Sequence, residues 1–135
     1  MSRIKIPPTD KAPKPVGPYC QAIAANGLVF LSGQIGIDPK TGALAEDDIG
    51  IQTLRVMDNI DAVLEKAGSS WRQVVKVTIF LTDLAHWAKV NIIYTDYIDR
   101  KNPPARSAVQ VAALPFNAMI EIEVIALSNT AGDTQ

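Results

Sequence analysis

The sequence predicts an α+β fold in a single domain spanning residues 1–135, with two helices packed on one face of a mixed six-stranded sheet. Three observations predict this fold. Apolar residues alternate with period two in several short segments, and they recur at steps of three and four residues in two longer ones. No linker or internal repeat divides the chain, and its length of 135 residues is typical of one domain.

The composition excludes several functional classes. Thirteen Lys and Arg against fourteen Asp and Glu give a net charge of −1, so nucleic acid is an improbable partner. A single Cys and a single His cannot supply a conventional zinc site. No apolar run approaches the ~20 residues of a membrane span, and the first residues lack a hydrophobic signal core. The cytoplasm is the expected compartment, or the mitochondrion if the organism is eukaryotic.

The first three strands follow in order. Residues 3–6 predict a short edge strand, and the prolines after it exclude a helix. Residues 19–25 and 28–34 predict a hairpin, because Asn26 and Gly27 between them both tolerate the positive φ of a type I′ turn.

Two amphipathic helices are predicted. The first spans residues 47–67 and ends where Gly68 supplies a C-terminal cap. Its apolar stripe consists of Ile51, Leu54, Met57, Ile60, Leu64 and Ala67. The second helix is capped by Thr82 or Asp83. The residues expected to face inward are Trp87, Val90, Tyr94 and Tyr97.

The strand between the helices, residues 74–81, has one apolar face and one mixed face. The side chains expected under the helices are Val75, Val77, Ile79 and Leu81. Those on the other face are Val74, Lys76, Thr78 and Phe80. A half-polar sheet face that no helix covers favours a subunit interface.

The last two strands, residues 105–113 and 119–127, predict a hairpin across the loop 114–118. Such a hairpin places Glu121 nearly opposite Gln110 and close to Arg106. Two interpretations follow. Arg106 forms a structural ion pair with a neighbouring glutamate, or it binds a ligand carboxylate while the glutamate holds a water as acid or base.

Other candidate residues have weaker support. Tyr19 follows a rigid turn and either lines a pocket or packs. Gly33, after Ser32, would let a ligand approach bare backbone. Asn91 is an unexpected polar residue inside the second helix. Cys20 has no histidine nearby in sequence, so it is interpreted as a small buried residue.

Several separate motifs resemble those of the Rid family, also called YjgF or reactive intermediate deaminases. They are "KAPKPVGPYCQAI", "LVFLSGQIGIDPKTGAL", "VNIIYTDYI", "NPPARSAVQVAALP" and "IEIEVIAL", in this order over almost the whole chain. The resemblance implies a fold like that of chorismate mutase of the Bacillus type. It also implies a homotrimer in which the sheets form a central β-barrel with the helices outside, and active sites in the clefts between subunits.

The activity that the resemblance implies is hydrolysis of reactive enamines and imines to 2-keto acids and ammonia. The substrates would be of the 2-aminoacrylate, 2-iminobutanoate and 2-iminopropanoate type, and no metal or organic cofactor is implied. Matched by motif, Arg106 corresponds to the arginine that binds the substrate carboxylate, and Glu121 to the glutamate that holds the attacking water. The positions that line the cleft are Tyr19, Ser32, Gly33, Asn91 and Ala108.

The chain departs from the family pattern at two positions. Cys20 stands where serine is usual, and Ala108 stands where many bacterial members have a cysteine, so a thiol role at that position is in doubt. Two alternatives to the deaminase remain open. One is a non-catalytic protein that binds keto acids or other small carboxylates. The other is an RNA-binding protein or ribonuclease, which the net charge and the single His disfavour.

Overall fold

The computed structural model describes residues 2–128, and in this range the chain forms seven strands and two α-helices. In chain order they are β1 (Ile4–Lys5), β2 (Ala22–Ala25), β3 (Leu28–Leu31), β4 (Gln34–Ile35), α1 (Ile49–Lys66), β5 (Val74–Leu81), α2 (Trp87–Thr95), β6 (Ala105–Gln110) and β7 (Ile120–Leu127). Neither helix in this range is long and apolar enough to cross a membrane.

The strands form one mixed sheet in the order β1-β2-β3-β7-β5-β6, with β4 also pairing with β7. Strands β5 and β6 run parallel, and the other pairs between residues 2 and 128 are antiparallel. The predicted α+β fold with two helices on a mixed sheet is confirmed. The sheet has seven strands rather than six, because Gln34 separates from the preceding strand and pairs with Ile122 of β7.

The predicted hairpin of the last two strands is wrong, because β5 lies between β6 and β7. Phe80 of β5 pairs with Val109 of β6 on one side and with Glu121 of β7 on the other. The connection through α2 explains this order, since a strand, a helix and a second strand naturally form a parallel pair. Strand β7 then pairs antiparallel on the remaining edge of β5.

Helix α1 spans Ile49–Lys66, slightly shorter than the predicted 47–67, and its buried face differs from the prediction. Asp48 caps it by accepting a hydrogen bond from the Ile51 N–H at 2.9 Å, and Gly68 follows the last turn with φ 73°. Ile51 and Leu54, both predicted to face inward, are 41% and 47% exposed. Polar residues occupy part of the buried face instead and bond to backbone groups. These are Gln52, Thr53 and Asn59.

The start of β5 corrects a second prediction about side-chain direction. The ladder with β7 shifts register between Val74 and Lys76, which places a bulge at Val75. Val74 is therefore buried and Val75 exposed, the reverse of the predicted order. Beyond the bulge the alternation holds. The side chains buried under the helices are Val77, Ile79 and Leu81 of β5 and Ile120, Ile122 and Val124 of β7.

The inward-facing residues of α2 and the first hairpin follow the predictions, although α2 begins at Trp87 and ends at Thr95, before Tyr97. Val90 and Tyr94 are buried, and Trp87 and Tyr97 pack partly buried against the same core. Asp83 caps a short 3₁₀ turn before α2 by accepting a hydrogen bond from the Ala85 N–H at 2.9 Å. The turn between β2 and β3 has the predicted positive φ at both residues, 56° at Asn26 and 83° at Gly27.

The face of the sheet opposite the helices stays open in the single chain. Phe30 pairs with Ile125 across β3 and β7, and Phe30, Val109 and Leu127 are exposed apolar residues. Polar side chains lie among them, and Lys76 Nζ donates to Ser107 Oγ at 3.1 Å. The mixed character predicted for this face is confirmed.

Candidate active site

A cavity of about 600 Å³ opens beside β4 and the start of β7. Its walls come from the proline-rich N-terminal segment, the residues after β3, the loop before β7 and β7 itself. Four of the residues singled out from the sequence line it, namely Tyr19, Ser32, Gly33 and Glu121. The fold therefore brings these four together, although they are more than 100 positions apart at the extremes.

Glu121 lies against the backbone of Gly33. The strand pairing places Ile35 beside Glu121, so the residues just before β4 pass directly over its side chain. A Cβ at position 33 would collide with the Glu121 carboxyl group, so a larger residue there would displace this side chain. Burial raises the pKa of Glu121, and the negative charge of Glu123 raises it further. A carboxylate with a raised pKa is a better proton acceptor.

Ser32 and Tyr19 form a second wall of this cavity. The Ser32 hydroxyl donates to the Cys20 carbonyl oxygen at 2.7 Å, so it holds the chain before β2 against the end of β3. Tyr19 is exposed, and its hydroxyl accepts a hydrogen bond from the Val16 N–H at 3.4 Å. This hydrogen bond ties the side chain, which lines the cavity, to the turn before β2.

Gln21, which the sequence analysis missed, anchors the proline-rich segment over the cavity. Its buried side chain accepts from the Thr9 N–H at 2.9 Å and donates to the Pro13 carbonyl oxygen at 3.0 Å. Because prolines have no backbone N–H to donate, these side-chain hydrogen bonds replace backbone pairing in the segment.

A separate cluster surrounds Arg106 on the edge strand β6. Its Nη1 donates to Asn91 Oδ1 at 2.8 Å, and its guanidinium carbon lies 4.6 Å from the ring centre of Trp87 and 4.9 Å from that of Tyr94. These distances indicate cation–π contacts with both rings. Burial raises the pKa of Tyr94, and the charge of Arg106 partly opposes the rise.

Arg106 and Glu121 lie on opposite faces of the sheet. Arg106 pairs with Val77, whose side chain is buried under the helices, whereas Glu121 pairs with Phe80 on the open face. The prediction that they share one polar surface is therefore wrong, and it failed because it depended on the hairpin. Arg106 forms no ion pair with any residue between 2 and 128, so the structural ion pair with a glutamate is also wrong.

Ala108 lies beside Arg106 on the same face of β6. It pairs with Ile79 and packs partly buried against the core. The predicted site residues are thus divided into two clusters within one chain. The cavity cluster contains Tyr19, Ser32, Gly33 and Glu121, and the arginine cluster contains Asn91, Arg106 and Ala108.

Comparison with known proteins identifies the family. A family model described as Endoribonuclease L-PSP matches residues 9–128. A RutC family protein of Pyrococcus abyssi is 52% identical over 118 residues, which are 87% of this chain and 92% of the relative. The crystal structure of a Rid family protein from Yersinia pestis superimposes with a TM-score of 0.90 at 50% identity, covering 93% of this chain and 99% of the other. The chain belongs to the Rid family.

Two further Rid relatives have informative names. Reactive Intermediate Deaminase A, chloroplastic, of Arabidopsis thaliana is 51% identical over 118 residues, which are 87% of this chain and 63% of that protein. The crystal structure of E. coli TdcF with bound serine superimposes with a TM-score of 0.86 at 39% identity, covering 92% of this chain and 98% of the other. One Rid protein is thus named for a deaminase, and another has been crystallised with a small amino acid.

The sequence analysis did not assign a site role to Trp87, which it placed among the inward-facing residues of the second helix. A signal for that role was present, because Trp87, Asn91 and Tyr94 are spaced by four and three positions and so share one face of α2. All three contact the Arg106 guanidinium. One face of α2 in this Rid chain therefore holds the Arg106 guanidinium.

Proposed function

We propose that this Rid protein is a homotrimeric deaminase that hydrolyses reactive 2-imino acids and their enamine tautomers to 2-keto acids and ammonia. Substrates of the 2-iminobutanoate, 2-iminopropanoate and 2-aminoacrylate type are small carboxylates, and the site offers a guanidinium and a carboxyl group as their polar partners. The observation that carries the proposal is the state of Arg106. Its guanidinium is held by Asn91 and two aromatic rings, all of them neutral, so its charge is left for a ligand carboxylate.

The division of the site into two clusters supports assembly with a second copy of the chain. A cleft that combines Arg106 of one subunit with Glu121 of its neighbour would join the two halves, as a head-to-tail trimer allows. The open sheet face supplies the surface for such assembly, since Phe30, Val109 and Leu127 are exposed there.

The proposed mechanism uses one binding group and one proton carrier. Arg106 binds the carboxylate, and an enamine substrate first tautomerises to the imine, whose carbon is electrophilic. Glu121 orients a water and takes its proton while the oxygen adds to that carbon. That proton passes to nitrogen, which gives an aminol. The aminol hydroxyl then gives up its proton, which nitrogen takes, and the C–N bond breaks with its electron pair leaving on nitrogen as the carbonyl forms, so that ammonia and the 2-keto acid are released. Because free imines already hydrolyse in water, positioning and one acid–base group suffice.

The relatives support this proposal at a coarser level. The name of the Arabidopsis thaliana relative, Reactive Intermediate Deaminase A, supports a deaminase in general. Serine, which is bound in TdcF, has the carboxylate and the adjacent nitrogen-bearing carbon that a 2-imino acid also has. TdcF also supports the binding alternative, in which the cleft holds a small carboxylate without catalysis. The description Endoribonuclease L-PSP supports the RNA alternative, but the net charge of −1 gives no field to attract RNA.

The experiment that tests the proposal is hydrolysis of 2-iminobutanoate generated in the cuvette, followed as loss of the imine signal. We expect the wild type to accelerate hydrolysis and Arg106→Ala to lower kcat/KM at least about tenfold, since a charge-assisted contact is lost. Arg100→Ala is the matched control, because Arg100 is exposed and contacts Asp96 at 3.2 Å away from both clusters.

The oligomeric state of each variant is measured in parallel. An inactive wild type that is well folded and trimeric would refute the deaminase and favour the binding protein. RNA cleavage by the wild type, with a steep salt dependence of RNA affinity, would favour the ribonuclease instead.

A further inference from the structure

The solvent side of α1 carries two exposed apolar residues beside a groove. Ile51 and Leu54 are 41% and 47% exposed. They are three positions apart, so they are neighbours on one side of the helix. The loop before α1 runs alongside them, and the loop and the helix together line a cavity of about 360 Å³. The loop side chains at its wall include Ala43, Leu44 and Ala45, so this part of the groove is apolar.

Buried polar side chains of α1 hold the segment before the helix in place. Asn59 Nδ2 donates to the Ile37 carbonyl oxygen at 2.9 Å and to the Ile35 carbonyl oxygen at 3.3 Å. Gln52 Nε2 donates to the Glu46 carbonyl oxygen at 3.2 Å. Both side chains are fully buried. The groove is therefore formed before any partner arrives, which lowers the entropy cost of binding.

The same side of α1 continues into a row of acidic residues. Asp58, Asp61 and Glu65 follow Leu54 at steps of four, three and four positions, and all three are exposed. Such steps keep residues on one face of a helix. The outer stripe, which consists of Ile51, Leu54, Asp58, Asp61 and Glu65, thus extends about 21 Å along α1 and is apolar at one end and acidic at the other.

The acidic end of the outer stripe carries uncompensated negative charge. Burial raises the pKa of Asp61, and the negative charges of Glu65 and Asp58 raise it further, so these carboxylates repel one another. Asp58 has partners, because the Tyr97 hydroxyl donates to it at 2.8 Å and Arg55 Nη2 lies 3.7 Å away. Asp61 and Glu65 form no ion pair within residues 2–128. A cationic partner would relieve this repulsion.

We propose that the outer stripe and its groove dock a basic amphipathic helix of another protein. Apolar side chains of that helix would enter the groove beside Ile51 and Leu54. Its Lys or Arg side chains, further along, would pair with Asp61 and Glu65. A helix in a groove of this kind gains affinity from its apolar anchors and its orientation from complementary charge.

Charge disfavours the other occupants of this surface. Two copies of the acidic end would repel each other, as would RNA or an anionic membrane. A second copy of the chain offers no basic amphipathic helix between residues 2 and 128, because α2 contains a single basic residue, Lys89. The outer stripe also stays accessible in the proposed trimer, since α1 packs its other side on the sheet and the trimer would use the opposite, open sheet face.

The test measures binding of a synthetic probe by fluorescence anisotropy. The probe is a fluorescein-labelled helical peptide of about 18 residues, with leucines at one end and lysines at the other at the spacing of the outer stripe, made in both sequence orders. We expect the wild type to bind one of the two orders with a Kd of about 10–100 μM at low salt, and more weakly as salt is added.

The variants separate apolar anchoring from charge. Leu54→Ala should raise Kd about fivefold, and Asp61→Lys should raise it at least about tenfold. Ile92→Ala is the control for the first, because Ile92 is 69% exposed on α2. Asp10→Lys is the control for the second, because it makes the same change in net charge at an exposed residue outside the groove. Neither control should change Kd.

Four results would overturn the proposal. One is no binding of either probe at up to about 1 mM. The second is equal affinity for a probe with alanines in place of the leucines, which would mean attraction of any polycation. The third is an equal loss of affinity in Asp10→Lys and Asp61→Lys. The fourth is a change of oligomeric state in Leu54→Ala, which would make the outer stripe a contact between copies of this chain. Probe binding needs no catalysis, so an inactive wild type leaves this test intact.

Discussion

A mixture of two inactive variants is expected to regain activity, because Arg106 and Glu121 lie on opposite faces of one sheet. Arg106→Ala removes the group proposed to bind the carboxylate, and Glu121→Gln removes the group proposed to orient the water. Each variant alone would form trimers in which every cleft lacks one of the two groups. In a mixed trimer, a cleft regains both groups when an Arg106→Ala subunit supplies its glutamate and a Glu121→Gln subunit supplies its arginine.

The magnitude follows from random assembly of a head-to-tail ring. At equal amounts of the two variants, about one quarter of the clefts contain both intact groups, so the mixture should show about a quarter of wild-type activity. A second mixture, of the wild type with the double variant, separates the two geometries. Activity should fall to about a quarter if the groups come from neighbouring subunits, and to about half if they come from one chain.

The assay is 2-iminobutanoate hydrolysis by chains that are denatured together and refolded, with different affinity tags to prove that the trimers are mixed. Sequential purification on both tags isolates the mixed species. If doubly tagged trimers of the two single variants stay inactive while refolded wild type is active, the cross-subunit cleft is refuted. Arg106 and Glu121 would then have to act together by an arrangement other than a cleft between two subunits.

Three further predictions concern single positions. Gly33→Ala should lower kcat/KM at least about tenfold by displacing Glu121, with little loss of stability. The control Gly27→Ala, at φ 83°, should lower the free energy of unfolding by about 1 kcal/mol and leave kcat/KM unchanged. A Gly33→Ala variant that loses stability but keeps its kcat/KM would contradict this prediction. Trp87→Ala should raise KM about tenfold, and Trp87→Phe should bring KM most of the way back, as measured by steady-state kinetics. Equal KM values in the two variants would exclude a cation–π role of Trp87 toward Arg106. Because burial raises the pKa of Glu121, ionisation of this carboxyl group lowers the stability of the wild type as pH rises through that pKa. Glu121→Gln should therefore be more stable than the wild type to urea at pH 7, and the difference should vanish below about pH 4. A variant that is less stable than the wild type at pH 7 would contradict this prediction.

The sequence predicted where the elements lie better than it predicted their partners. Alternation located β5, β6 and β7 to within a few residues, because it depends on the faces of each strand alone. It could not show that β5 lies between the other two, since strand order depends on contacts distant in sequence. The error at Val75 has a similar origin, because a bulge changes the direction of a side chain without changing the residue pattern.

The candidate site was predicted by motif rather than by geometry. Glu121 and Gly33 were matched separately to family positions, and the structure brings them into contact. Phe116, which lines the same cavity, had no signal of this kind, because it lies in a loop without periodicity and its positive φ is usually associated with Gly or Asn. Trp87 was placed with the core because an aromatic stripe at helical spacing usually packs inward.

Three features of the single chain would share one physical explanation in the proposed assembly. An exposed edge strand such as β6 invites pairing or coverage by another chain. The open sheet face exposes apolar side chains, and the two halves of the candidate site point away from each other. Each feature is unfavourable or useless in a monomer, and contact with a neighbouring copy would resolve all three together. Assembly and catalysis would then depend on the same interface, so a substitution that weakens the trimer should lower activity even where it contacts no substrate.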